Sequence, residues 1–192
     1  MDRISLRKSV RKQRNAISRQ QQEHFSLQGA LRMLDWLEGK QVNRVAIYLS
    51  NDGELDTKPL IEKLWEKSIQ VCLPVLHPIN EGQLLFLHYD AQSTMRHNRY
   101  GIEEPCLDIR NVIPVSNIDV IITPLVAFDL YGNRVGMGGG YYDRTLANID
   151  GKKTWVVGFA HDCQQVPLVP TEYWDISLST IVTPNHLHQF DI

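Results

Sequence analysis

Between Gly132 and Gly140 the chain reads Gly-Asn-Arg-Val-Gly-Met-Gly-Gly-Gly, and Tyr141-Tyr142-Asp143-Arg144 follow at once. Five of the 12 glycines fall in these nine positions. Glycine loses more backbone freedom on folding than other residues, about 0.5–1 kcal/mol each against alanine in regular structure. A cluster this costly suits a backbone that must approach a ligand closely. Phosphate is the usual ligand, because exposed N–H groups in such a loop cradle it. Arg134 and Arg144 bracket the loop with positive charge. A Walker A loop is excluded, since no Gly-Lys-Ser or Gly-Lys-Thr occurs. The dinucleotide fingerprint fails too: counted from Gly136, Tyr141 stands where a third Gly or Ala is wanted. From residue types alone, a phosphate loop of another kind and a strained turn both stay open.

The residues after the glycines add chemistry. Adjacent aromatics at Tyr141 and Tyr142 can stack on a flat heterocycle, or one ring can pack into the core. Asp143 is either a helix cap or a carboxylate for Mg²⁺ beside phosphate oxygens. Glu54 follows a strand and the turn residues Asn51-Asp52-Gly53. It reads as a surface acid or as an acceptor for a pterin-like N–H edge, since open α/β sheets bind ligands at strand ends. His161-Asp162 is expected on a solvent-facing loop rather than as a catalytic pair. His186 and His188 lack a third metal ligand nearby in sequence. No G-x-S-x-G elbow is present, so a serine hydrolase finds no support.

The elements that position these groups alternate between strand and helix patterns. A basic helix over the first residues puts Arg3, Arg7 and Arg11 on one face. That face is a solvated surface, a cation source for an anionic ligand, or part of a transit peptide. Ser18 caps a second helix to about Glu38, with Phe25, Leu27, Leu31, Leu34 and Leu37 as its apolar stripe. Strands are expected at 44–50, 71–76, 84–89, 119–128, 154–160 and 179–183, and helices at 58–68 and 141–149. Pro74 implies an edge or irregularity in its strand. The 71–76 and 84–89 strands are expected to be antiparallel neighbours, and 91–118 to be loops crossing the sheet edge. The pattern predicts a single domain, 1–192, of α/β class: a three-layer α/β/α sandwich with a largely parallel central sheet.

Composition narrows the partners. Of the 192 residues, 43% are hydrophobic and 22% charged, ordinary for a globular protein. No apolar run nears the roughly 20 residues that span a bilayer. Residues 1–19 hold seven basic side chains and one acid, leaving 13 basic and 21 acidic residues elsewhere. An acidic body argues against a nucleic-acid surface. Cys72, Cys106 and Cys163 form no paired motif, which fits a reducing cytoplasm, and no secretory signal is expected.

The stretch Ile122-Thr-Pro-Leu-Val-Ala-Phe-Asp129 through Asp143-Arg144 resembles the signature of the 5-formyltetrahydrofolate cyclo-ligase family, bacterial type. Leu6-Arg7, Tyr48-Leu-Ser-Asn-Asp-Gly-Glu-Leu-Asp-Thr57, Leu73-Pro-Val75, Gly101-Ile-Glu-Glu-Pro105 and Trp174-Asp175 to Thr183 fall in the family's order. The resemblance implies an ATP- and Mg²⁺-dependent enzyme that converts 5-formyltetrahydrofolate to 5,10-methenyltetrahydrofolate, with ADP and phosphate released. It implies ATP contacts from Arg3, Arg7, Arg134, Gly136, Met137, Gly138, Gly139, Gly140, Tyr141 and Tyr142. Arg3 stands where many members carry lysine, and the two cations bind differently. It implies folate contacts from Leu49, Glu54, Met137, Gly138, Gly139, Gly140 and Tyr141. Arg134 and Asp143 take the catalytic roles, and Asp143 and Asp175 the Mg²⁺. A cytoplasmic monomer without nucleic-acid or membrane partners is expected. The alternative is a catalytically silent folate- or nucleotide-binding relative.

Overall fold

The computed structural model describes residues 1–147, 149 and 153–191. Helix α1 (Arg3–Asn15) starts at Asp2, whose carboxylate accepts from the amides of Ile4 and Ser5. Helix α2 (Arg19–Leu37) starts with a reciprocal Ser18–Gln21 capping box. Strand β1 (Arg44–Ala46) is followed by α3 (Lys58–Glu66), whose first amide is taken by Asp56. Then come β2 (Gln70–Leu76), β3 (Leu84–Tyr89), the short hairpin β4 (Met95–His97) and β5 (Glu103–Pro105), and β6 (Val112–Ile113). Strand β7 (Val120–Thr123) leads to the hairpin β8 (Ala127–Phe128) and β9 (Arg134–Val135). Helix α4 (Tyr141–Leu146) and strands β10 (Trp155–Phe159), β11 (Thr180–Val182) and β12 (Leu187–Gln189) complete the chain.

The main sheet has eight strands in the order β12-β11-β10-β7-β1-β2-β3-β6. Its five central strands, β11 to β2, run parallel, and the flanking strands are antiparallel. Helices α2 and α3 bury Met33, Trp36, Leu60 and Leu64 against one face, with Val45, Val71, Val120 and Val157 beneath. Leu146 of α4 packs with Ala46, Cys72, Phe86 and Ile121 on the opposite face. The three-layer, largely parallel arrangement is therefore as expected. Helix α1 lies apart from these layers, with Leu6 and Val10 against Val126, Ala127 and Val135 of the small hairpin.

Several boundaries differ from the sequence pattern. Of the expected α2 stripe, Phe25, Leu34 and Leu37 pack on the core, but Leu27 and Leu31 are 43% and 42% exposed, and Gly29, Ala30 and Met33 are buried instead. Small residues serve there because the helix comes close to the sheet; a Cβ on Gly29 would meet Leu55 and Phe159 at 3.0 Å. The expected 119–128 strand breaks at Pro124, and its second half leaves the sheet to pair with β9. Helix α4 stops at Leu146, and part of its expected span lies outside the described residues. The 91–118 region holds the β4–β5 hairpin and β6, not loops alone. The polar tail forms β12 on the sheet edge.

Gly132 closes the β8–β9 turn with φ 76°. A Cβ there would sit 2.3 Å from the Leu178 carbonyl oxygen, which is backbone and cannot step aside. Gly132→Ala is expected to destabilise the fold by about 2–4 kcal/mol, seen as a lower thermal midpoint. A midpoint within one degree of the wild type would show that the turn adapts.

Candidate functional site

A cavity of about 700 Å³ opens where the parallel strands end, the place expected for a ligand in an open α/β sheet. Its size is in the range of cofactor and substrate pockets. Residues following β1 (Tyr48, Leu49, Asn51, Glu54) form one end, with Leu73, Pro74 and Leu76 of β2. Strand β1 pairs with β2 only as far as Cys72. At Pro74 that flank of β2 is open, so the missing amide costs no ladder bond on the cavity side. The other end holds Arg3, Arg7, Glu172, Trp174 and Asp175. The glycine loop, with Arg134, Tyr141, Tyr142 and Asp143, also lines the cavity.

The loop is built as a cradle. Gly138 and Gly140 take φ 103° and 65°, which L side chains rarely adopt. Among the described residues, none of the N–H groups of residues 136–140 donates a hydrogen bond within the protein. Arg7 crosses the loop and donates from Nε to the Gly136 carbonyl at 2.7 Å. That is its one hydrogen bond among the described residues, so both Nη groups remain for an anion. Burial and the nearby Arg3 charge push the Arg7 guanidinium pKa down, the signature of a cation held where an anion would relieve it. Arg144 acts differently from its bracketing position in sequence: it donates to the Gly82 and Gly139 carbonyls and braces the loop from outside.

Arg134 is 4% exposed and donates from Nη2 to Asp143 Oδ1 at 2.7 Å. Its Nε is buried without a partner. Burial lowers its pKa, opposed first by Asp143. Arg3 grips Asp175 with two hydrogen bonds, 2.6 and 3.1 Å. Asp143 in turn accepts from the amide of Ile176 at 3.4 Å, so the two carboxylates belong to one neighbourhood. Each already holds an arginine. Among the described residues no group of three or more His, Cys, Asp or Glu side chains could hold a metal alone. Two carboxylates beside a loop of free amides do fit Mg²⁺, which is usually held by one or two carboxylates plus phosphate oxygens and water.

The tyrosines divide their labour. Tyr142 packs beside the core cluster of Ala46, Cys72 and Phe86. Tyr141 stays at the rim, where its hydroxyl meets Arg99 at 2.5 Å and Tyr100 at 2.9 Å. Tyr100 and Ile102 come from the loop joining β4 and β5, which folds across the cavity. Nothing in residue type singles out Tyr100, Ile102 or Trp174. Their signal is the position of Gly101–Pro105 and Trp174-Asp175 in the family order.

Glu54 sits in a recess, with Oε2 accepting from the Asn51 amide at 3.0 Å. Burial raises its pKa from 4.5 to about 7; the Arg14 charge and the Asn51 amide pull the other way. The unfolded chain loses this proton near the ordinary value and the native state only near 7. The native state thus binds more protons between the two, and stability falls as pH rises through that window. The effect is bounded at about 3 kcal/mol. Glu54→Gln is expected to stabilise the unliganded protein relative to wild type more at pH 8 than at pH 5, read from denaturant midpoints. A pH-independent difference would place the carboxylate in water. His161 corrects another expectation. It is 1% exposed, not solvent-facing, and burial lowers its pKa to about 4, so it stands neutral behind the site.

This layout can be set beside known proteins. The sequence profile of the 5-formyltetrahydrofolate cyclo-ligase family matches residues 1–184. This chain belongs to that family. It is 52% identical over 181 residues to the 5-formyltetrahydrofolate cyclo-ligase of Escherichia coli (strain K12), covering 94% of this chain and all of that one. It is 45% identical to the Haemophilus influenzae cyclo-ligase, covering 94% and 96% of the two chains. The NMR structure of Aquifex aeolicus 5,10-methenyltetrahydrofolate synthetase superposes with a TM-score of 0.84 at 28% identity, covering 100% of this chain and 94% of that chain. Among the described residues no helix is long and apolar enough to cross a membrane.

Proposed function

We propose that this cyclo-ligase family member converts 5-formyltetrahydrofolate to 5,10-methenyltetrahydrofolate with ATP and Mg²⁺, releasing ADP and phosphate. One observation carries the assignment of the site: a single cavity joins the recessed Glu54 acceptor to a cradle of free amides flanked by Arg3, Arg7 and Arg134. A folate heterocycle suits the first end and a triphosphate the second.

A formamide oxygen is a poor leaving group, so the reaction needs activation. The formyl oxygen attacks the γ-phosphorus and ADP departs. N10 of the same folate then attacks the formyl carbon, the C–O bond breaks, and inorganic phosphate leaves as N10 gives up its proton. Phosphoryl transfer is mainly positioning and charge neutralisation. The free amides of the glycine loop and the Nη groups of Arg7 bind phosphate oxygens. Arg134 meets the charge that builds on the transferring group. Asp143 and Asp175 would hold Mg²⁺, which would supply further charge neutralisation. Glu54 and Leu49 hold the pterin, and Tyr141 and Met137 border both ligands. No strong base is required, and the cavity lining holds no histidine.

Purified protein with 5-formyltetrahydrofolate and Mg-ATP is expected to give the near-ultraviolet absorbance of the methenyl product, with ADP formed in equal amount. Folate binding by folded protein without turnover would show a silent relative instead.

A further inference from the structure

Arg14, on α1, is 0% exposed yet carries a guanidinium. Its Nε donates to the Asp52 carbonyl at 2.7 Å and its Nη2 to Asp52 Oδ2 at 2.8 Å. The same Nη2 lies 3.9 Å from Glu54 Oε1, close enough for charge and too far for a hydrogen bond. Asp52 and Gly53 both take positive φ, 51° and 73°, so the turn that presents Glu54 is intrinsically strained. Helix α1 holds it from three residues: Arg11 donates to Asp52 Oδ2 at 2.6 Å, and Asn15 donates to Asp52 Oδ1 at 3.2 Å beside Arg14. Asn15 also packs so closely that a Cβ on Gly53 would lie 2.5 Å from its side-chain oxygen.

Stability alone does not call for this arrangement. Buried ion pairs are often matched or bettered by apolar residues of similar volume. The geometry points to a positioning role: Arg14 fixes the Asn51–Glu54 turn against α1 and so sets where the Glu54 carboxylate meets the substrate. Asp52 takes the Nε and Nη2 hydrogen bonds, Nη1 reaches the Leu125 carbonyl at 3.5 Å, and the Asn51 amide takes Oε2. Oε1 is thus left for the ligand while Arg14 favours its charge. The other groups around Glu54 do not replace this cation: Asp52 is a like charge, the Tyr48 and Tyr142 hydroxyls are held neutral by burial, and His161 is neutral too. Because α1 also carries Arg3 and Arg7, one helix registers both halves of the cavity. The role rests on the cyclo-ligase reading.

The test compares R14Q and R14K in the wild-type and E54Q backgrounds, using steady-state kinetics and folate Kd from tryptophan fluorescence. R14Q is expected to raise the folate KM about tenfold with the ATP KM changed less than about twofold. It should also move the acidic limb of kcat/KM to higher pH. R14K keeps the charge but loses the fork; it should raise folate KM while leaving that limb near its wild-type place. In E54Q, either substitution should change folate KM or Kd less than about twofold. Equal effects in both backgrounds, or an ATP KM that rises as much as the folate KM, would overturn the role. If R14Q does not fold, the R14K pair carries the same comparison. Absence of turnover in the wild type would instead sink the cyclo-ligase reading.

Discussion

Arg134→Gln is expected to lower kcat for cyclisation by about 10³-fold or more, the scale seen when a cation on a transferring phosphoryl group is lost. The site explains the size. Arg134 is almost wholly buried, where charge interactions are stronger than in water. Among the described residues only Nη2 is committed, to Asp143, and the buried Nε has no partner. A desolvated cation with spare donors, lining the same cavity as the glycine loop, suits charge that appears during reaction. Folate Kd should move little, because the groups proposed to hold the pterin, Glu54 and Leu49, follow β1 and make no hydrogen bond to Arg134 among the described residues. Circular dichroism would confirm folding. A loss of less than tenfold in folded protein would reduce Arg134 to a structural partner of Asp143.

Asp143→Asn is expected to lower kcat by about 10²-fold or more and to raise the Mg²⁺ concentration needed for half-maximal rate. The side chain keeps its shape, so Ile176 and Arg134 can still bond to the amide oxygen. What disappears is the negative charge. If Asp143 acts only as the structural partner of Arg134 and the Ile176 amide, both kinetic values stay near wild type. Arg134 and Asp143 form one unit, so the double variant should be little worse than Arg134→Gln alone. Fully multiplicative losses would show that the two act independently.

Local patterns were strongest where a single residue type answers a backbone need. Ser18 starts α2, as expected, because its hydroxyl accepts the free amide of Gln21. The glycine loop declared itself because few backbones require such a cluster. The α2 stripe misled because hydrophobicity counts side-chain size, whereas close approach to the sheet selects Gly29 and Ala30. The 119–128 run read as one strand because both halves are buried. Burial alone does not say that Ala127 and Phe128 leave the main sheet for β9.

By itself the sequence determined the α/β class, the glycine cluster of residues 132–140, the chemical identity of Arg134, Asp143 and Glu54, and the family order of the motifs. These are properties of residue type and short spacing, set by backbone freedom and periodicity. Only the tertiary structure decided that Arg3 meets Asp175, that Arg144 braces the loop from outside, and that His161 is enclosed. It alone brought Arg14 to Asp52 and Glu54 across some forty positions of chain. The pairings of Arg3 and Arg14 depend on where α1 lands against the ends of β1 and β7, and no local pattern encodes that. The long-range packing of Leu6 and Val10 on the small hairpin fixes it.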